Sequence, residues 1–163
     1  MISNLDHVNE VIGVEHLANS LLPAIVHLSK DPKWRVRLAI IQYMPLLADQ
    51  LGVAFFSVDQ LTLLCLTWLV DQVYAIREAA VENLARLAKK FGSSWTQETI
   101  LPKVLALSRH GNYLYRMICL QSIISLSGVL DAELCQNHLL PTALAMHNDG
   151  VPNVRFKVSA KLV

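Results

Sequence analysis

Apolar residues recur every three to four positions along most of this chain. Leu21, Leu22, Ile25 and Leu28 make one such stripe, and no segment sustains the two-residue alternation of a half-buried strand. The pattern predicts helices in pairs. First helices fall over about 15–29, 58–70, 96–108 and 132–147; second helices fall over about 34–51, 74–91 and 113–128, with a last one starting near 153. Asn4–Ile12 followed by Gly13 reads as the tail of an earlier second helix. Gly52 and Gly92 stand where a left-handed C-terminal cap is wanted. Ser57-x-x-Gln60 and Ser94-x-x-Gln97 have the form of capping boxes. Pro23, Pro102 and Pro141 fall near the first turns of apolar helices, where a missing N–H bends the helix.

The pairs repeat. Arg37, Arg77, Arg116 and Arg155 are spaced 40, 39 and 39 residues apart. Three positions before each stands Trp34, Tyr74, Tyr113 or Pro152. Six before stands Asp31, Asp71 or Asp149, with His110 in the third unit. Pro23, Leu63, Pro102 and Pro141 keep the same period. A helical hairpin cannot bury both its apolar faces alone, so repeated hairpins stack into an α-solenoid. The period fits HEAT repeats better than tetratricopeptide or ankyrin units. The expected fold is all-α, with about three complete repeats: 14–52, 53–92 and 93–130, preceded by the end of another at 1–13 and followed by an incomplete one at 131–163. Val158, Leu162 and Val163 are expected to lack a following helix to cover them, which suggests a piece of a longer array.

The in-phase acids and arginines have a physical reading. Asp31, Asp71 and Asp149 open the inter-helix turns, and Arg37, Arg77 and Arg155 lie about one turn into the second helices. Stacking brings the arginine of one repeat toward the aspartate of the next, which a guanidinium can hold bidentately. His110 breaks this ladder, so the third turn is expected to be held less firmly.

Composition narrows the function. The 163 residues are 53% hydrophobic and 17% charged, which is not the make-up of a disordered chain. The densest apolar run, Leu61–Val70, stops at Asp71, well short of the roughly 20 residues a spanning helix needs. Fourteen basic against thirteen acidic residues leave a net charge of +1, without the basic excess of a general nucleic-acid or membrane-surface binder. Cys65, Cys119 and Cys135 form no CxxC and read as buried reduced thiols. These features favour a cytoplasmic or nuclear protein.

No catalytic constellation emerges. There is no HExxH, phosphate-cradling glycine loop or GxSxG elbow. Cys135 and His138 share a helix face, but two ligands do not make a metal site. Glu78 with Glu82 reads as a solvated face, and Arg86, Lys89 and Lys90 as cations suited to a helix end. The expectation is no enzyme activity, no metal and no cofactor. The suggestive group lies on the turns. Trp34 sits among Lys30, Lys33, Arg35 and Arg37, and a solenoid lines Trp34 up with Tyr74 and Tyr113 along one edge. Trp, Tyr and Arg are enriched at binding hot spots, although such rings also serve simply to cover helix ends.

Specific strings then become familiar. Asp31–Val53 (DPKWRVRLAIIQYMPLLADQLGV), Trp68–Ala80 (WLVDQVYAIREAA) and Leu140–Phe156 (LPTALAMHNDGVPNVRF) resemble the scaffolding A subunits of protein phosphatase 2A. ISNLDHVNEVIG (Ile2–Gly13) and SLLPAI (Ser20–Ile25) fit the same family. The resemblance implies a non-catalytic horseshoe of HEAT repeats. In the family, N-terminal repeats hold a regulatory B-type subunit. The C-terminal repeats use the ridge of turns to hold the catalytic subunit. This chain resembles the catalytic-subunit side, and the B-subunit repeats are absent from it. By that resemblance, Trp34, Arg35, Tyr74, Tyr113, Arg116 and Met117 face the catalytic subunit. His110-Gly111 replaces an Asp-Pro-like turn, and Cys119–Cys135 diverges more than the rest. A general HEAT adaptor would bind through the concave face instead. A DNA-acting enzyme on a similar scaffold would need a basic groove, which the charge balance does not provide.

Overall fold

A computed structural model describes residues 14–56 and 59–162. Among these residues the secondary structure is entirely helical. Helices α1 (Val14–Leu28) and α2 (Trp34–Phe56) form the first hairpin. Helices α3 (Asp59–Thr67) and α4 (Tyr74–Trp95) form the second, with a 3-10 turn, Trp68–Val70, ending the first arm. The third pairs α5 (Leu101–Ala106) with α6 (Tyr113–Ser127). The fourth runs through α7 (Ala132–Leu134) and α8 (Leu140–Ala145) to α9 (Pro152–Leu162). Successive second helices α2, α4, α6 and α9 pack side by side, and each first arm packs on its own hairpin partner. The result is a two-layered, all-α solenoid of the HEAT type.

The apolar stripes seen in the sequence meet between the layers. Ile41 and Met44 of α2, Leu61 of α3, Ile76 and Leu84 of α4 and Leu120 of α6 are essentially inaccessible to solvent. Each such side chain contributes about 1.5–3 kcal/mol relative to an exposed one. The core therefore continues from hairpin to hairpin rather than closing within one. Trp68 reinforces this continuity, its indole N–H reaching the Ser29 carbonyl of the preceding repeat at 3.5 Å.

The joints between repeats differ from the expected left-handed caps. Gly52 has φ 73°, ψ 179° and Gly92 has φ 88°, ψ 176°. That is the positive-φ, extended region open essentially to glycine alone, not the left-handed helical well. It breaks the helix and lets the next one begin at once. Ser94 consequently lies inside a helical run rather than at a cap; Thr96 bonds back to the Gly92 carbonyl at 2.8 Å. The Ser57 box and the 1–13 segment lie outside the described residues. The third joint, after Gly128, is an ordinary turn closed by an aspartate cap: the Leu134 N–H donates to Asp131 Oδ1 at 2.9 Å. The Ser93 hydroxyl and that N–H hold the Asp131 carboxyl below the usual carboxylate range.

Pro102 and Pro141 leave a repeated mark. Each is preceded by a π-turn, Thr96–Ile100 and Cys135–Leu139, in which the Leu101 and Leu140 N–H groups reach back to Thr96 and Cys135. A proline supplies no N–H and crowds the carbonyl four residues back, and the wider turn accommodates both effects. The exposed-end expectation also needs correction. Val158 is buried in the core cluster, and Phe156 is the large hydrophobic residue of α9 that stands exposed, at 72%; the Leu162 side chain and Val163 lie outside the described residues.

Candidate functional site

Four inter-helix turns line one edge of the solenoid and share a local design. Asp31, Asp71 and Asp149 each accept a backbone N–H two residues on, from Lys33 at 2.7 Å, Val73 at 2.8 Å and Val151 at 2.8 Å. Such Asx-type turns fix the chain reversal locally. In the third turn His110 takes this part: the Asn112 N–H donates to its Nδ1 at 3.0 Å, and its ring stands edge-on to Tyr115 at 4.5 Å. The imidazole thus replaces the carboxylate as turn former. Asn112 then caps α6, accepting the Leu114 N–H at 3.0 Å.

An arginine one turn into each second helix clamps the turn from behind. Arg37 Nη1 donates to the Asp31 carbonyl at 2.7 Å, Arg77 Nη1 to Asp71 at 2.8 Å, Arg116 Nη1 to His110 at 2.8 Å and Arg155 Nη1 to Asp149 at 2.6 Å. In Arg37 and Arg116 the rest of the guanidinium reaches the next repeat. Arg37 forks onto the Asp71 carboxylate through Nε at 2.9 Å and Nη2 at 3.0 Å. Arg116 forks onto Asp149 in the same way, at 2.6 and 2.9 Å. Asp149 is held below the usual carboxylate range, chiefly by the Arg116 hydrogen bond and against the desolvation of its site. Arg116 correspondingly rises, first through that bond.

This pairing changes several assignments. Arg116, placed among the partner-facing residues by resemblance, is a rung of the ladder with its donors engaged inside the chain. The 33-residue step from Arg116 to Asp149 matches the 34-residue step from Arg37 to Asp71, and that spacing is the signal that could have found it. Among the described residues Arg77 reaches no carboxylate, because His110 occupies the position in the repeat where one would stand; its Nε is buried without a partner. Asp31 and Arg155 have no rung partner among the described residues.

The remaining ridge residues are distributed as follows. Tyr74 is 57% exposed, with its hydroxyl 3.3 Å from Glu78 and its ring 5.7 Å from the Arg77 guanidinium. Tyr113 is 38% exposed. Trp34 is half-buried against the core, and Arg35 lies over its ring at 4.7 Å. Met117 and Val73 also pack on the core rather than standing free.

Elsewhere, Cys65 and Cys119 are buried and their thiols pushed up to about 12 by desolvation. Cys135 is only half-buried, so it departs from the buried-thiol expectation. It opens the π-turn before Pro141, in the fourth hairpin. Among the described residues, no three His, Cys, Asp or Glu side chains converge on a metal-sized site, and no helix is long and apolar enough to cross a membrane.

Comparison with known proteins adds names to this geometry. A family model described as HEAT repeat matches residues 21–51. The regulatory A subunit of protein phosphatase PP2A from Schizosaccharomyces pombe is 52% identical over 62 residues, 38% of this chain and 10% of that protein. Its counterpart in Saccharomyces cerevisiae is 48% identical over 76 residues, 45% of this chain and 12% of that protein. The one in Pisum sativum is 50% identical over 56 residues, 34% of this chain and 14% of that protein. The matched stretches thus span at most 14% of those relatives' length.

Proposed function

This chain is a HEAT-repeat array related in sequence to the regulatory A subunits of protein phosphatase PP2A, and from that premise we propose that it is a non-catalytic scaffold that binds the PP2A catalytic subunit through its ridge of turns. The observation that carries this reading is the aromatic row. Trp34, Tyr74 and Tyr113 occupy the same position on three successive turns, with the two tyrosines open to solvent. The polar groups of those turns are largely satisfied inside the chain. Arginine forks and Asx-type bonds set the spacing of the turns, so the rings stand on a pre-organised edge. Ordering such rings costs little side-chain entropy on binding, which is how rigid aromatic anchors come to dominate an interface.

The test is capture of purified PP2A catalytic subunit by this chain, beside a Trp34→Ala, Tyr113→Ala double variant shown to be helical by circular dichroism. Capture by the parent and its loss in the folded variant supports the ridge as the working surface. A helical parent that captures nothing overturns the assignment of partner, and equal capture by both overturns the assignment of surface.

A further inference from the structure

The ladder has one open rung, and its chemistry specifies what would close it. Arg37 and Arg116 both present Nε and Nη2 to a carboxylate of the following turn. Arg77 has the same anchorage, with Nη1 on the Asp71 and Gln72 carbonyls at 2.8 and 3.0 Å. Its fork therefore points where theirs do. Opposite it stands His110, whose Nδ1 is taken by the Asn112 N–H. Arg77 Nε is left buried and unpartnered, and among the described residues Nη2 has no acceptor.

Among the described residues no acid fills the vacancy. The carboxylates of the second hairpin's turn and second helix are all engaged: Asp71 by Arg37, Glu78 by Tyr74 and Glu82 by Arg86. From residue 99 to 130 there is no Asp or Glu at all, whereas Lys103, Arg109 and Arg116 fall in that stretch. In a chain of net charge +1, the third repeat is thus a local excess of positive charge beside an unfilled guanidinium fork.

We propose that the Arg77 fork is a docking point for an aspartate or glutamate side chain of a protein seated on the turn ridge, the partner's carboxylate completing the rung that His110 leaves open. This rests on the ridge reading above and adds the chemistry of one contact to it. Two parallel N–H···O bonds to a planar carboxylate are what a guanidinium fork favours, and the sister rungs show that this backbone geometry accepts one. Entry requires the His110 ring to turn aside. The ring is exposed and its Asn112 bond is a local one. Tyr74 and Tyr113 stand on the two turns that flank the gap, so the carboxylate arrives between two aromatic contacts.

The test uses the intact chain labelled with 15N in its arginine side chains, followed by the Arg77 Nε–Hε resonance. Acetate is the probe, with sodium chloride at matched ionic strength as the control. The expected result is a saturable acetate shift of Arg77 that chloride does not reproduce. His110→Asp supplies the missing carboxylate and should abolish that response, with Arg77 already at its bound position. His110→Asn keeps an acceptor for Asn112 without a charge and should retain the response. No acetate-specific shift in the parent, or an equal one in folded His110→Asp, overturns the proposal. When the partner is the catalytic subunit, His110→Asp should weaken capture at least tenfold, and unchanged capture overturns the fork as a contact. If the parent captures no catalytic subunit, the partner assignment fails, while the acetate titration still decides the fork.

Discussion

Replacing Asp71 with alanine tests the ladder where its geometry is most complete. The Asp71 carboxylate accepts Arg37 Nε and Nη2 at 2.9 and 3.0 Å, and also the Val73 N–H at 2.8 Å. The paired side chains are only 14% and 13% exposed, so both are substantially desolvated. Removing one member of a buried pair costs about 3–5 kcal/mol. Arg37 keeps its bond to the Asp31 carbonyl and some contact with water, which brings the expected loss to about 2–3 kcal/mol. For a chain of this size each kcal/mol moves the melting temperature by about 2–4 °C, so the midpoint by circular dichroism should fall roughly 4–12 °C. His110→Ala is the internal control. It deletes an equivalent turn bond but no fork, and should cost only about 0.5–1 kcal/mol. Asp71→Asn, which keeps an acceptor for Val73, should lie between the two. A midpoint for Asp71→Ala within a degree or so of the parent, or a fall no larger than that of His110→Ala, would refute the rung as a stabilising element.

Other consequences are equally direct. Gly92→Ala should destabilise by about 1–3 kcal/mol through backbone strain alone, because a Cβ there meets nothing within 4 Å; an unchanged melting temperature would show that the joint does not need its positive φ. Asp149 is held below the ordinary carboxylate range when folded, so its stabilisation is complete above about pH 4 and is lost as the pH falls through the folded value. The parent should therefore lose melting temperature on acidification more steeply than Asp149→Asn, and parallel pH profiles would contradict the pairing. With a thiol reagent at pH 8, Cys135 should react first and Cys65 and Cys119 only as fast as the chain opens; simultaneous labelling of all three in the folded chain would be inconsistent with the packing.

Much of this architecture is legible in the sequence because a solenoid repeats its signals. The arginine period and the apolar stripes each occur several times, so chance agreement is small and the stacked hairpins follow. The details that escape are those in which one residue type serves two geometries. A glycine after an amphipathic run signals a helix end, but not whether the chain enters the left-handed well or the extended positive-φ region; that depends on how closely the next helix follows. Ser94-x-x-Gln97 has the letters of a capping box, yet the kink at Gly92 starts the helix too early for it. Arg116 stands apart from the other ladder arginines in the sequence because its own turn lacks an aspartate. The rung it makes depends on the following turn, Asp149, and an in-phase comparison within one repeat does not look there.

That offset also explains why one substitution can leave a repeat folded and still alter its surface. Each turn residue at the Asp31 position has two separable tasks. One is local, the acceptance of an N–H two residues on. The other is long-range, the neutralisation of the preceding repeat's arginine. Aspartate performs both at Asp71 and Asp149, where Oδ1 accepts the local N–H together with the arginine Nη2 and Oδ2 accepts the arginine Nε. A neutral imidazole has one acceptor nitrogen, and at His110 the local bond takes it. The turn is therefore retained while the charge of Arg77 is released from the stacking interface. The strain falls on a single half-buried guanidinium on the edge where the aromatic rings stand, and not on the core of Ile76, Leu84 and Leu120 that holds the second and third repeats together. A lost rung of this kind trades a fraction of stacking stability for an unneutralised donor pair at a fixed position, which is the property a recognition surface needs and a purely structural ladder does not.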